Sequence, residues 1–204
     1  MMRSFQSLDR FYPIVENADW ILRVVVAGAN LVQLRMKDAS AFDIARDVQR
    51  AKSMCDAAGA QLVVNDHWRA AIESGCDFVH LGQGDLDAVD IKAVRKAGVR
   101  VGISTHDHSE LDRALSFDPD YVALGPIYPT VLKQMPWAPQ GLERVGEWKR
   151  LVGVRPLVAI GGLTIERAGL CLAAGADSVA VVTDITRSDD PESQMKAWLT
   201  ATRA

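Results

Sequence analysis

AGANLVQLRMKD, residues 27–38, joins a small residue and a glycine to a short apolar run that ends in charge. The phrase returns as AGAQLVVN (58–65), SGCDFVHL (74–81), AGVRVGIS (97–104) and AGADSVAV (174–181). VGVRPLVAIGG (152–162) is a variant, and FDPDYVALG (117–125) exchanges the glycine turn for Asp-Pro-Asp. Each glycine falls where a helix should stop and can take the left-handed conformation that closes it. The run after it is short and almost continuously apolar, as parallel strands buried on both faces require.

Helix-like segments precede the glycines. SAFDIARDVQRAKSMCDAAG starts on Ser40, a suitable N-cap, and carries Phe42, Ile44, Ala45, Val48 and Ala51 near helical period. LDAVDIKAVRKAG, HSELDRALSF and TIERAGLCLAAG, the last with Thr164 as cap, read the same way. With FYPIV near the start there are about eight strands, centred near Ile14, Leu34, Val64, Val79, Ile103, Val122, Val158 and Val181. Strict alternation at this count predicts an α/β fold, a closed (β/α)8 TIM barrel forming a single domain over 1–204. An open doubly wound sheet is the alternative. Neither a linker nor a change in composition divides the chain.

Composition narrows the function classes. The 204 residues can bury a sizeable core, and 49% hydrophobic with 24% charged residues is ordinary for a globular chain. A net charge of -3 gives no polybasic surface, so neither nucleic acid nor a membrane is the expected partner. MMRSFQSLDRFYPIV does not read as a secretory signal, and no apolar stretch is long enough to span a bilayer. Cys55, Cys76 and Cys171 are odd in number and widely spaced. They read as small buried apolar residues of a cytoplasmic protein, without a disulfide frame or zinc site. The oligomeric state is not set, and a homo-oligomer is left open.

In such a barrel the chemistry lies beyond the C-terminal ends of the strands. Strand two ends on Gln33, Arg35 and Lys37, strand three on Asn65 and Asp66, and strand four leads to Gln83 and Asp85. Strand five ends on Ser104, Thr105 and His106, strand seven on Gly161 and Gly162, and strand eight on Val182 and Thr183. Gln33, Arg35 and Lys37 alternate along an extended segment and point one way, a pair of cations fit for a multiply charged anion or simply a solvated pair. Asp66 and Asp85 suit Mg²⁺, which takes one or two carboxylates plus water and phosphate oxygens; each also reads as a helix cap. AIGGLT lets backbone approach a phosphate at a helix start, or merely turns the chain. Thr183 nearby favours phosphate.

His67 and His108 fall at helix starts and read as solvated, whereas His80 and His106, near strand ends, are placed to orient ligands. Neither HxxxH nor close His–carboxylate pairing is evident, which argues against a zinc hydrolase. There is no GxSxG nucleophile elbow, and GQGDLD is not a dinucleotide fingerprint. GPIYPTVLKQMPWAPQGL, residues 125–142, is a long loop after strand six. Four prolines stiffen it, and Thr130 and Lys133 supply one hydroxyl and one ammonium, as a lid over a site would.

QLRMKD, VVND, HLGQGD, GISTH, GPIYPT with its following Lys133, PQGL, VAIGG and AVVTDI together resemble the thiamine phosphate synthase family over most of the chain. The resemblance implies a (β/α)8-barrel transferase that uses Mg²⁺. It would join hydroxymethylpyrimidine diphosphate to hydroxyethylthiazole phosphate, or the carboxylated thiazole with loss of CO₂, and release pyrophosphate. It places Gln33, Arg35, Lys37, Asn65 and Lys133 on the pyrimidine diphosphate, with Ser104 and Thr130 as further contacts. Asp66 and Asp85 would bind magnesium, and Gly162, Val182 and Thr183 the thiazole phosphate. Arg35, Lys37, Lys133 and Ser104 would be the catalytic set. Many family members carry Thr-x-Thr-Lys in the long loop; here Thr130-Val131-Leu132-Lys133 lacks the second hydroxyl. Rival readings are a thiazole tautomerase, a non-catalytic binder of thiamin intermediates, and a phosphosugar isomerase or epimerase.

Overall fold

The computed structural model describes residues 7–130 and 137–203. Eight parallel strands close in chain order: β1 (Phe11–Val15), β2 (Leu31–Leu34), β3 (Gln61–Asn65), β4 (Phe78–Leu81), β5 (Arg100–Thr105), β6 (Tyr121–Leu124), β7 (Leu157–Ile160) and β8 (Ser178–Val181). β8 pairs back onto β1, with Tyr12 opposite Ala180, so the barrel has no open edge. The doubly wound alternative is thereby excluded, and all eight predicted strand centres fall inside strands.

The helices α1 (Ala18–Val26), α2 (Ala41–Ala58), α3 (Trp68–Glu73), α4 (Ile91–Lys96), α5 (His108–Ser116), α6 (Gly141–Val152), α7 (Ile165–Ala173), α8 (Thr183–Thr186) and α9 (Pro191–Arg203) form the sheath. Their starts are chemically specified. Ser40 accepts from the Asp43 N–H, Asp107 from Glu110 and Thr164 from Arg167, each relieving an orphan donor. The segment read as one helix from Leu86 to Gly98 is instead a 3₁₀ turn (Asp85–Asp87) followed by α4, because Asp90 caps a new start on Ala93. Gly59 ends α2 at φ 69°, and Asp118 takes φ 49° at the matching point before β6, as Asp tolerates better than most residues.

Two cores result. Between sheet and sheath lie Val32, Val64, Ile103, Trp148, Leu157 and Trp198 among many others, and each large side chain there contributes roughly 1.5–3 kcal/mol by burial. Inside the barrel a smaller cluster holds Tyr12, Ile14, Leu31, Val63, Phe78, Tyr121, Ala123, Val158 and Ala180. The strand residues of the same inward parity nearer the C-terminal end are Gln33, Asn65, His80 and Ser104. The barrel interior therefore turns from apolar to polar within one layer, and that layer is the floor of the site. Cys55, Cys76 and Cys171 are free and buried, and burial pushes their thiols up to about 12, 11 and 11.

Candidate active site

A cavity of about 410 Å³ opens at the C-terminal end of the barrel. Its lining brings together Gln33, Arg35, Lys37, Asn65, Asp66, Asp85, Ser104, Thr130, Gly162, Val182 and Thr183 from six strand ends and the loop after β6. Lys133 and Leu132 lie outside the described residues.

One half of the cavity is ionic. The Lys37 ammonium hydrogen-bonds Asp66, whose backbone sits at φ 61°, a conformation that costs a non-glycine residue about 1–3 kcal/mol. Asp66 does not cap α3; His67 holds that position without a side-chain bond, and its ring meets the Met36 carbonyl at 3.2 Å. Asp85 accepts the Gly82 N–H at 2.8 Å and faces Asp66. Burial alone would raise the Asp66 carboxyl, but the bonded Lys37 holds it below the usual carboxylate range. Burial and the neighbouring Asp66 charge push Asp85 the other way, up. Two carboxylates facing each other at an open rim fit a divalent cation with few protein ligands. Among the described residues no group of three or more His, Cys, Asp or Glu is gathered for a metal. Arg35 has no carboxylate partner among the described residues, so its charge is left for a ligand. The Asn65 Nδ2 is buried without an acceptor, a donor aimed at the same space.

The other half is backbone. Gly161 and Gly162 take φ 102° and 64°. A Cβ on Gly162 would stand 2.3 Å from the Pro129 carbonyl oxygen, and one on Gly161 would stand 2.6 Å from the Pro126 Cα. The glycines are thus demanded by the loop after β6, which seals onto β7 through Ile127 N–H to Ile160 O (2.9 Å) and Tyr128 N–H to Gly161 O (3.0 Å). The turn reading and the phosphate reading meet here, since that docking leaves the N–H groups of Gly162 and Leu163 without acceptors among the described residues. Gly141 and Leu142, read as the end of the loop, already belong to α6.

Two histidine–carboxylate pairs correct the sequence reading that none was present. His106 Nδ1 lies 2.6 Å from Glu110, four residues on in the first turn of α5, and His108 lies 2.7 Å from Glu147. His106 in turn stacks on Trp137 at 4.0 Å and 11°, so Trp137 both lines the cavity and anchors the loop. Trp148 and Trp198 do more than pack: their indole N–H groups hold Thr105 (2.9 Å) and Asp184 (2.7 Å) behind the rim. Sequence reasoning missed Tyr12 and Tyr121. Their signal was a phenol at an inward strand position, which a buried Tyr holds only with a hydrogen-bond partner.

The fold and site define a (β/α)8 barrel whose C-terminal rim carries paired carboxylates and, among the described residues, an Arg without an acidic partner and backbone N–H groups without acceptors. The family profile described as thiamine monophosphate synthase matches residues 11–185. The thiamine-phosphate synthase of Rhizobium etli is 59% identical over 195 residues, 96% of each chain, and that of Neisseria meningitidis serogroup A is 47% identical over 93% of this chain and 92% of its own. Among solved structures, thiamine phosphate pyrophosphorylase from Pyrococcus furiosus superposes with a TM-score of 0.84 at 22% identity, covering 96% of both chains. 3-Hexulose-6-phosphate synthase superposes at 0.71 with 14% identity, over 94% of this chain and 99% of its own, a likeness of fold alone. The chain belongs to the thiamine monophosphate synthase family, and it is a transferase. No helix among the described residues is long and apolar enough to cross a membrane.

Proposed function

We propose that this transferase joins hydroxymethylpyrimidine diphosphate to hydroxyethylthiazole phosphate, forming thiamine phosphate and pyrophosphate. The observation that carries the reading is the two-ended cavity: an ionic half with a carboxylate pair and an Arg that has no acidic partner among the described residues, continuous with a half of backbone donors that have no acceptors among them. A tautomerase acting on the thiazole alone, or an isomerase acting on a singly phosphorylated sugar, has no use for a second anion-binding half.

The chain's own residues have limited chemistry to perform. The C–O bond between the pyrimidine methylene and the diphosphate breaks, and the electron pair leaves on pyrophosphate. The electron-rich aminopyrimidine bears the resulting positive charge, and the thiazole nitrogen lone pair forms the new C–N bond. No base is needed. Arg35 and Lys37 stabilise the charge growing on the leaving group, in the manner that gives roughly 2.7–4 kcal/mol per well-placed donor elsewhere. Asp66 and Asp85 would hold Mg²⁺, which supplies further positive charge to the diphosphate oxygens. Lys133, carried over from the family resemblance, would add a third cation. Gln33 and Asn65 orient the pyrimidine ring; Gly162, Val182 and Thr183 hold the thiazole phosphate so that its nitrogen faces the methylene carbon. The loop with Thr130 and Trp137 excludes water, which would otherwise capture the cation.

The test is pyrophosphate release measured with each heterocycle alone and with both, with and without Mg²⁺. Release that needs both heterocycles and the metal, with thiamine phosphate formed in equal amount, is expected. Binding of both ligands without release would overturn the synthase in favour of a binding protein.

A further inference from the structure

Beneath the cavity five side chains form one unbroken hydrogen-bonded chain. Gln33 Nε2 donates to the Tyr12 hydroxyl (2.8 Å), Tyr12 meets the Tyr121 hydroxyl (3.0 Å), Tyr121 meets His80 Nδ1 (2.7 Å), and His80 Nε2 meets Ser104 Oγ (2.8 Å). Tyr12 and Tyr121 are buried, at 1% and 0% exposure, so neither hydroxyl has water to fall back on. The site is built for the second ring. Gly102 pairs with Tyr121 in the neighbouring strand, and a Cβ on it would lie 2.1 Å from the Tyr121 ring. The ring fills the space of that missing side chain, with Phe78 against it edge-on (5.5 Å) and His80 stacked on it (5.5 Å, 15°).

Proton accounting gives the chain a direction. An amide nitrogen only donates, so Tyr12 accepts from Gln33 and must pass its own proton to Tyr121. Tyr121 then passes its proton to His80 Nδ1. His80 is left with its proton on Nε2, where it goes to the Ser104 oxygen, and the Ser104 proton points away from His80 into the cavity. At the opposite end one N–H of the Gln33 amide goes to Tyr12, which fixes the amide's orientation and leaves its carbonyl oxygen to the cavity. The reverse direction would consume the Ser104 proton on His80 and turn its lone pairs toward the half of the cavity where Arg35 prepares for an anion.

We propose that Tyr12 and Tyr121 are positioning residues that lock His80 in its Nε2–H tautomer. By doing so they leave the Ser104 proton and the Gln33 carbonyl oxygen to the substrate. Neither tyrosine touches substrate. What they set is polarity: a ligand is accepted if it brings a donor, such as an exocyclic amino group, to Gln33 and an acceptor to Ser104. The choice of ligand rests on the synthase reading above; the direction of the chain does not.

Two measurements separate these. Nitrogen–proton correlation NMR of the ligand-free protein, with the His80 ring assigned against His80→Gln, is expected to show the proton on Nε2. A proton on Nδ1 overturns the proposal, whatever the enzyme makes. Tyr121→Phe is expected to leave His80 as a mixture of tautomers and to lower kcat about tenfold, the loss of one oriented hydrogen bond, with KM for the thiazole phosphate within about twofold of wild type. Tyr12→Phe is expected to do the same more weakly and to raise KM for the pyrimidine, since the Gln33 amide is then free to turn. An unchanged His80 tautomer in Tyr121→Phe, or a change in thermal midpoint without a change in kcat, would reduce the tyrosines to packing. Should Tyr121→Phe not fold, the wild-type spectrum and Tyr12→Phe decide the matter. If wild type makes no thiamine phosphate, the function fails while the tautomer result stands.

Discussion

Asp77, Asp120 and Asp177, just before β4, β6 and β8, and Asp66 and Asp85, beyond the far ends of β3 and β4, are one kind of side chain in opposite situations. At the N-terminal end of the barrel the carboxylates are satisfied. Asp120 takes Arg95 at 2.6 Å and the Val101 N–H at 2.7 Å; Asp177 takes Lys149 and the Leu157 N–H, both at 2.7 Å. Burial would raise Asp77, but Gln61 and Arg100 hold it below the usual range. At the C-terminal end Asp85 faces another carboxylate and is pushed up, while Arg35 stands without an acidic partner among the described residues. The first end spends its charges on closing strands. The second pairs Lys37 with Asp66 but leaves Asp85 and, among the described residues, Arg35 unbalanced, and such imbalance marks candidate functional sites.

The contrast is sharpest in a pair of substitutions. Arg35→Ala is expected to lower turnover roughly 10²–10³-fold with the thermal midpoint nearly unchanged, since the residue holds no carboxylate partner among the described residues. Asp120→Ala should do the reverse, losing about 1–3 kcal/mol of stability through the stranded Val101 N–H and the lost ion pair to Arg95, with kcat close to wild type. Denaturant melts and steady-state kinetics on the two proteins check both halves, and similar damage by both would erase the distinction.

Acid should find the floor of the site next. Burial lowers the His80 imidazole from 6.5 to about 4, so between those values the unfolded chain binds a proton that the folded chain refuses. Above 6.5 neither state binds this proton and nothing is lost; as pH drops below 6.5 stability falls, and the loss reaches about 3 kcal/mol once pH 4 is reached. Urea melts across that window should show a steeper loss in wild type than in His80→Gln; equal slopes would mean that His80 is not buried as a neutral ring.

The smallest effect is the most diagnostic of imbalance. Asp85 is raised in the folded state, so the metal-free protein holds its proton more tightly than the unfolded chain and loses stability as pH climbs through the raised value. Asp85→Asn removes that repulsion while keeping an acceptor for the Gly82 N–H. At neutral pH the metal-free variant should melt slightly higher, on the order of 1–3 °C after solvent screening, yet lose its response to Mg²⁺. A lower midpoint would show that the two carboxylates do not oppose each other.

Much of this was legible from local rules. The Gly-plus-apolar phrase and its two variants located seven strands, with FYPIV added as the first, because a parallel strand buried on both faces and a helix that must end before it leave strong local marks. The same parity that alternates Gln33, Arg35 and Lys37 put them on the cavity side. Other features were not legible because they depend on what arrives from elsewhere in the chain. Nothing local to GISTHDHSE says that Trp137 will stack on His106. AIGG reads alike as turn and phosphate cradle until the loop from Gly125 to Thr130 is seen against it. The space for Tyr121 exists only because Gly102 sits across the strand pair.

The sequence by itself determined the strand–helix alternation, the closing caps and the set of polar residues beyond each strand, since these follow from backbone conformation and period within a few residues. Only the tertiary structure decided the register that closes β8 on β1, the opposition of Asp66 and Asp85, and the hydrogen-bonded chain that joins Gln33 to Ser104. Those are properties of distances between strands far apart in sequence, and hydrogen-bond polarity exists only when donor and acceptor have met.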